Sequence, residues 1–166
     1  MAIVEALLPE FDHEMTVTRK VLERVDSAQF GWKPHERSMS LGRLATHVAE
    51  IPQWAHTILT EPEFNMVDGE HKPTSAVSTS EVLGLFDRQV QTVRALLAAR
   101  TDAELMSTWT FKQNGQELFG MPRAAAWRSW VMNHLIHHRG QLSVYLRQTG
   151  SKVPGIYGPS ADESSR

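Results

Sequence analysis

The sequence predicts an all-α fold, a four-helix bundle with a small β-hairpin or an extended loop before the last helix. Four segments repeat apolar residues at helical spacing, residues that favour helix ends flank them, and an Asn-Gly pair stands between short aromatic runs. The 166 residues, of which 41% are hydrophobic and 22% charged, match one soluble domain. We therefore assign residues 1–166 to a single domain.

The first two predicted helices span residues 3–25 and the stretch from Ser40 to about Thr60. In both, apolar residues recur every three or four positions, which is typical of a helix with one buried face. Pro9 either begins the regular part of the first helix or kinks it. Ser40 is a good N-cap for the second helix, and Pro52 predicts a kink within it.

A long exposed loop is expected at residues 61–78, because this stretch is rich in Pro, Gly, Ser, Thr and charged residues. The third predicted helix follows and runs to about Ala99. Ser78 and Glu81 have the spacing of a capping box, in which each side chain accepts a hydrogen bond from the other residue's backbone.

A short capped turn and a hairpin are expected between the third and last helices. Thr101 and Glu104 have capping-box spacing. Within residues 107–120, aromatic and aliphatic side chains flank Asn114 and Gly115, which form a strong signal for a two-residue hairpin turn.

The last helix is expected to be the longest, from Pro122 to about Thr149. Proline is tolerated in the first turn of a helix, and Gly150 suits the position just after its end. The residues from about Ser151 onward are rich in Gly, Pro and Ser, and we expect them to form a flexible tail.

Composition excludes several classes of function. The chain has no cysteine, so disulfides, thiolate metal sites and cysteine nucleophiles are excluded. Its net charge is −2 and no basic stripe is present, which argues against nucleic acid as a partner. The N-terminal residues do not resemble a signal peptide, and no apolar run is long enough to span a membrane. We expect a cytoplasmic protein that acts on a small molecule.

A histidine pair on the last predicted helix is the first sign of a metal site. His134 and His138 are four residues apart, which places their side chains about 40° apart around the helix and roughly 6 Å apart along it. Two imidazoles at this spacing can bind one ion. Such pairs are also common on helix surfaces, and His137 is turned about 100° away from His138.

A third histidine, His47, lies on the core-facing side of the second helix, three residues after Leu44. A single histidine there is usually a hydrogen-bonded core residue, but a helix bundle can combine it with a pair on a facing helix. Three neutral nitrogens would leave a coordination position for water or substrate. The other histidines have no partner at ligand spacing: His13, His35, His56 and His71.

Two segments identify a family resemblance. NHLIHHRGQLSVYLRQTGSKVPGIYGPS, residues 133–160, resembles the C-terminal signature of the DinB/YfiT-like family, and LGRLATHVAEIPQWA, residues 41–55, resembles its second helix. The resemblance implies an up-down-down-up bundle, often dimeric, in bacteria. It also implies metal ligands at His47, His134 and His138, with zinc or nickel as the expected ion. Imidazole chemistry alone allows iron, copper or manganese as well.

The resemblance also implies a reaction class. Relatives are metal-dependent transferases or isomerases that use a low-molecular-weight thiol, so we expect a thiol as cosubstrate and a transferase as the leading function. The lack of cysteine fits a nucleophile that comes from outside the chain. Two alternatives remain open: a metal-dependent hydrolase that uses an activated water, and a non-catalytic metal-binding protein of the stress response.

Six further residues have candidate roles from helical spacing. Glu50, one turn from His47, could orient that imidazole or be a solvated surface residue. Gln141 lies about 20° from His134 around the helix and could contact a metal-bound water or bridge two helices. Tyr145 could line a substrate pocket together with Trp127 and Trp130, although core packing is the preferred role for the tryptophans. Arg139 faces away from the pair and favours a salt bridge or a dimer contact.

Overall fold

The computed structural model describes residues 2–70 and 73–163, and the chain folds into a mostly helical protein with one small sheet. The helices are α1 (Ile3–Leu22), α2 (Leu41–Thr60), α3 (Thr79–Ala98), α4 (Asp102–Met106), α5 (Arg123–Ala126) and α6 (His134–Gln148). A π-helical segment, Trp127–Asn133, joins α5 to α6. A short 3-10 helix, Ser27–Gln29, follows α1.

The helix starts follow the predicted capping residues. The Ser40 hydroxyl accepts a hydrogen bond from the Arg43 N–H at 3.2 Å, and the Ser78 hydroxyl accepts one from the Glu81 N–H at 3.2 Å. The capping box expected at Ser78 is displaced, because the Glu81 carboxylate accepts from the Val77 N–H at 3.0 Å. Both helices therefore begin where a side chain satisfies an otherwise unpaired backbone N–H.

α1 and α4 lie close to their predicted positions, while the kinks considered at Pro9 and Pro52 stay predictions. α1 ends at Leu22, three residues before the expected end, and Pro9 lies inside it. Pro52 likewise lies inside α2. The turn expected at Thr101 is α4, which has the full capping box with Glu104.

The predicted all-α class is confirmed only as a mostly helical fold, because a three-stranded sheet stands where a hairpin or an extended loop was expected. The strands are β1 (Glu63–Met66), β2 (Thr108–Gln113) and β3 (Gln116–Pro122), in the order β1-β2-β3. β2 and β3 form the predicted antiparallel hairpin. Asn114 and Gly115 both have positive φ, 50° and 82°, as a tight turn between right-twisted strands requires.

β1 lies within the stretch 61–78 that was expected to be a loop. It pairs in parallel with β2, and Phe64 stands opposite Phe111. Four residues with two large apolar side chains give too weak a pattern to identify a strand from sequence. The strand forms because the free edge of β2 offers unpaired backbone groups and because Phe64 packs on Trp54, with ring centroids 5.3 Å apart.

The four long helical segments form the core. α2 packs against α3 and against the last helical segment, while α1 packs against α3 and α6. α2 is buried along most of its length, including Leu44, Val48 and Ile51. The up-down-down-up order of the helix directions stays a prediction.

The last helix differs from the single regular helix that was expected. Pro122 ends β3 and caps α5, and the α-helical hydrogen-bond pattern is interrupted at Trp127–Asn133 before it resumes in α6. At the other end the prediction is confirmed. Gly150 has a φ of 79°, and the Ser151 N–H donates to the Leu146 carbonyl at 2.9 Å, as in a Schellman motif.

The segment after α6 folds back onto the bundle within the described residues. The Val153 N–H donates to the Asp162 carboxylate at 2.8 Å. The Tyr157 hydroxyl donates to the Glu14 carboxylate at 3.0 Å and accepts from Arg139 at 2.7 Å. The expected flexibility of this tail concerns motion and stays a prediction. Among residues 2–70 and 73–163, no helix has the length and apolar character needed to cross a lipid bilayer.

Candidate metal centre

Three imidazole rings from two helices meet at one side of the bundle. α2 provides His47, and α6 provides His134 and His138. The Nε2 atoms of His47 and His134 are 3.3 Å apart. One candidate ligand nitrogen from each of the three rings lies within 4.8 Å of the others. The structure thus brings together the three histidines that the sequence singled out.

Local helix geometry explains this convergence. The neighbours of His47 on α2, Leu44 and Val48, are buried, so α2 presents that face to the last helical segment. His134 and His138 are one turn apart on α6, and their ring centroids are 4.7 Å apart. His47 and His134 are only partly buried, so a ligand can approach from outside.

The donor set fits a divalent transition-metal ion. Two nitrogens bound to a tetrahedral ion at about 2.0–2.1 Å stand roughly 3.3 Å apart, which is the separation between His47 and His134. Imidazole nitrogens suit zinc, nickel, copper and iron. Three such ligands leave at least one coordination position for a further molecule.

His138 and His47 each have a partner on the side of the ring away from the site. The His138 Nδ1 lies 2.6 Å from the Gln141 Oε1, and the His47 Nδ1 lies 3.7 Å from the Glu50 Oε2. The backbone of Trp130 lies near the ring of His134 and acts to raise its pKa. A histidine that donates from Nδ1 keeps the Nε2 lone pair for an ion. The roles of Glu50 and Gln141 in metal binding stay predictions.

Burial and hydrogen bonding set the charges around the centre. Burial lowers the pKa of His138 to about 4, against the raising effect of Gln141. Burial and the neighbouring His47 lower the pKa of His134. Burial alone would raise the pKa of Glu50, but the nearby His47 ring and the hydrogen bonds from Thr74 and Arg43 lower it to about 2. At neutral pH the centre therefore has neutral His134 and His138 rings beside a carboxylate.

A cavity of about 300 Å³ opens beside His47. Its α2 wall includes Glu50, Trp54 and Thr57, which follow His47 at helical spacing, and Phe64 of β1 stands across from them. Sequence reasoning did not identify Trp54 as part of the site, although it stands seven residues after His47 and so on the same helix face.

The aromatic residues expected to line a pocket lie elsewhere. Trp127 is fully buried against Phe11, with ring centroids 5.4 Å apart, which is the core role preferred for it. Trp130 stacks on the rings of the hairpin. Tyr145 meets Trp32 edge-on at 5.3 Å, and its role in the site stays a prediction. The described lining of the cavity beside His47 includes none of the three.

Arg139 and the remaining histidines lie outside the three-histidine group. Arg139 forms a buried ion pair with Glu14 at 2.6 Å, so the predicted salt bridge is confirmed. His137 is exposed and does not belong to the three-histidine group. Three other histidines are exposed, namely His13, His35 and His56. His71 lies outside the described residues.

Comparison with known sequences supports the family resemblance. The family model described as "DinB family" matches residues 3–165. The uncharacterized protein YrdA of Bacillus subtilis (strain 168) is 26% identical over 174 residues, which cover 96% of this chain and 91% of that protein.

Several solved structures have a fold similar to that of this chain. A DinB-like protein from Bacillus cereus ATCC 10987 has a TM-score of 0.70 at 27% identity, over 94% of this chain and 98% of its own. YfiT from Bacillus subtilis has a TM-score of 0.63 at 16% identity, and the match covers 90% of this chain and 89% of YfiT. YfiT is described as a probable metal-dependent hydrolase with an unusual four-helix bundle topology. A mycothiol-dependent maleylpyruvate isomerase has a TM-score of 0.54 at 14% identity, and the match covers 89% of this chain and 61% of the isomerase.

Proposed function

This chain belongs to the DinB family, and we propose that it is a metal-dependent enzyme with His47, His134 and His138 as the ligands. The observation that carries this proposal is the meeting of three imidazole nitrogens within 4.8 Å of one another. A divalent ion held there would act as a Lewis acid that lowers the pKa of a thiol or water in the open position.

The chain's own residues would prepare the site for that ion. Gln141 and Glu50 would hold the rings of His138 and His47 with Nε2 toward the ion. The low pKa of His138, about 4, would keep its nitrogen free of protons at neutral pH. Zinc or nickel is the proposed ion, in a cytoplasmic protein that forms a homodimer.

A thiol-dependent transferase is the leading reaction class. Glu50 is the one carboxylate in the described lining of the cavity. Its pKa of about 2 and its contacts with Arg43 and Thr74 make it a poor proton acceptor at neutral pH. A thiol on a metal loses its proton without help from a protein base. Because the chain has no cysteine, that thiol must be a cosubstrate, as the name of the mycothiol-dependent isomerase indicates for that structural neighbour.

A hydrolase is the second candidate, and the printed description of YfiT favours it. The same three ligands would serve it, because an ion can acidify a water to a pKa of about 7 without a carboxylate base. A non-catalytic metal-binding protein of the stress response is the third candidate. It predicts the ion but no turnover.

The metal content of the purified protein tests the site directly. We expect about one ion per chain in the native protein and His134→Ala to bind zinc on the order of 100-fold more weakly, since a full ligand set contributes about 10–16 kcal/mol. The matched control is His137→Ala, an exposed histidine three residues away on the same helix. Equal zinc retention in both variants would contradict the assignment.

Turnover separates the three candidates. The metal-loaded protein is mixed with 1-chloro-2,4-dinitrobenzene and a panel of low-molecular-weight thiols, and separately with phenyl esters without thiol. We expect thiol-dependent consumption of the electrophile that His134→Ala loses. Ester cleavage without thiol would favour the hydrolase, and no turnover in either assay would favour the binding protein.

A further inference from the structure

The cavity beside the metal centre is elongated along α2. His47, Glu50, Trp54 and Thr57 recur at spacings of three or four residues, so they form one stripe on the helix. At about 1.5 Å per residue, Trp54 stands roughly 10 Å along the axis from His47. The cavity therefore extends from His47, one of the three candidate ligands, to a second end at Trp54 and Phe64.

Two aromatic rings form that distant end. Trp54 and Phe64 meet edge-to-face, with ring centroids 5.3 Å apart and planes at 80°. Both rings line the cavity and are only partly buried. Phe64 is held in place by the register of β1 with β2, and its ring stands 6.1 Å from that of Phe111. The two faces are thus fixed by a helix and a sheet.

The charged side chains of this cavity neutralise each other. Among the described residues that line it, Arg43 and Glu50 have permanent charges, and their side chains form an ion pair at 2.9 Å. Apart from His47, the other described lining residues add only uncharged polar groups, those of Gln53, Thr57, Thr74 and the indole N–H of Trp54. A site built for an anionic substituent would offer a cation without such a partner.

We infer that the substrate carries an uncharged aromatic group about 10 Å from the atom that reacts at the metal, and that Trp54 and Phe64 bind this group. The inference rests on the proposed function, because it takes the metal as the reacting end. It goes further by assigning the part of the substrate that gives specificity. A ring placed against two aromatic faces should gain on the order of tenfold in affinity.

Hydroxamate probes test the two ends separately. Acetohydroxamate binds an open metal position and has no tail. A second probe has a phenyl ring on a four-carbon chain, and a third has a carboxylate on the same chain. Calorimetry on the zinc-loaded protein should give a Kd about tenfold lower for the phenyl probe than for acetohydroxamate, and no such gain for the carboxylate probe.

Variants of the two aromatic residues test whether they cause the tighter binding of the phenyl probe. Trp54→Ala and Phe64→Leu should each remove most of the phenyl advantage and leave the Kd for acetohydroxamate unchanged, which also shows that the site is still folded. The matched control is Phe119→Ala, a partly buried ring of the hairpin that is outside the described lining of the cavity. It should keep the full advantage.

The possible failures differ. If the zinc-loaded protein binds no hydroxamate, the open position is absent, and the proposed function fails with the inference. If acetohydroxamate binds but the phenyl tail adds nothing, or adds as much in both variants, the aromatic site is overturned and the proposed function stands. Tighter binding of the carboxylate probe would overturn the uncharged substrate.

Discussion

His138 and Arg139 are neighbours in sequence and belong to opposite kinds of site. They project about 100° apart around α6. His138 faces two other imidazoles across a partly exposed space. Arg139 is 1% exposed, and its guanidinium contacts Glu14, Thr18 and Tyr157. One helix thus contributes to a candidate three-imidazole metal centre on one side and to an almost complete hydrogen-bond network on the other.

The surroundings of Arg139 and His138 differ in how their polar atoms are paired. Around Arg139 the charge is matched by Glu14 at 2.6 Å, and Tyr157 bonds to both partners. Desolvation of its hydroxyl, together with Glu14, raises the pKa of Tyr157 although the residue as a whole is exposed, so the hydroxyl stays protonated. Around His138 the nitrogens face one another instead of protein donors. An ion held between these nitrogens would be their common partner.

The largest expected effect comes from breaking the closed side. Arg139→Met leaves the Glu14 carboxylate buried without its cation and should lower the free energy of unfolding by about 3–5 kcal/mol. Urea unfolding measures it. The double variant Glu14→Leu/Arg139→Met should recover most of the loss, because no unpaired charge remains. A single variant as stable as the native protein would show that the pair contributes nothing.

A smaller effect is expected from loosening the open side. Gln141→Leu removes the partner of the His138 Nδ1 and should weaken zinc binding by about 10–100-fold, with little change in unfolding because Gln141 is exposed. Competition with a chelator measures the affinity. Gln148→Leu, an exposed glutamine at the end of the same helix, is the control. Equal affinities in the two variants would contradict the orienting role of Gln141.

The smallest effect is expected from the carboxylate beside His47. The pKa of Glu50 in the folded chain is about 2, below its ordinary value of 4.5. The stability that it contributes is therefore present above pH 4.5 and is lost as the pH falls toward 2. In the metal-free protein, Glu50→Gln should cost on the order of 1 kcal/mol at pH 7. The native protein and the variant should converge near pH 2.

An exposed carboxylate provides the comparison. Glu117→Gln, on β3, should leave the free energy of unfolding unchanged across the same pH range, since Glu117 is exposed. A constant difference between native protein and Glu50→Gln from pH 7 to pH 2 would contradict the depressed pKa. That result would remove the argument that Glu50 is a poor base.

Sequence reasoning identified the parts that depend on local pattern. Helix starts at Ser40 and Ser78 follow from a side chain that satisfies a backbone N–H, and the hairpin follows from Asn114 and Gly115. The three histidines could be grouped because helical spacing places two of them on one face. The family resemblance, confirmed by the match over residues 3–165, added the rest of that argument.

What sequence reasoning missed depends on contacts between distant segments. β1 exists because β2 offers it an edge, and the aromatic end of the cavity exists because β1 places Phe64 against Trp54. Neither partner can be identified from a four-residue pattern. The π-helical segment was also missed, since the sequence around Trp127 satisfies an ordinary helical period.

That π-helical segment connects two helices, α5 and α6, that pack against different parts of the molecule. α5 is oriented by the hairpin that it follows, and α6 by the bundle into which it packs. The π-helical segment Trp127–Asn133 lies between them and sets how α6 is rotated relative to α5. Deleting one residue there would rotate everything on one side by about 100° relative to the other. His134 and His138 would keep their mutual spacing and lose His47, so the phase of the helix decides whether three ligands or two can meet.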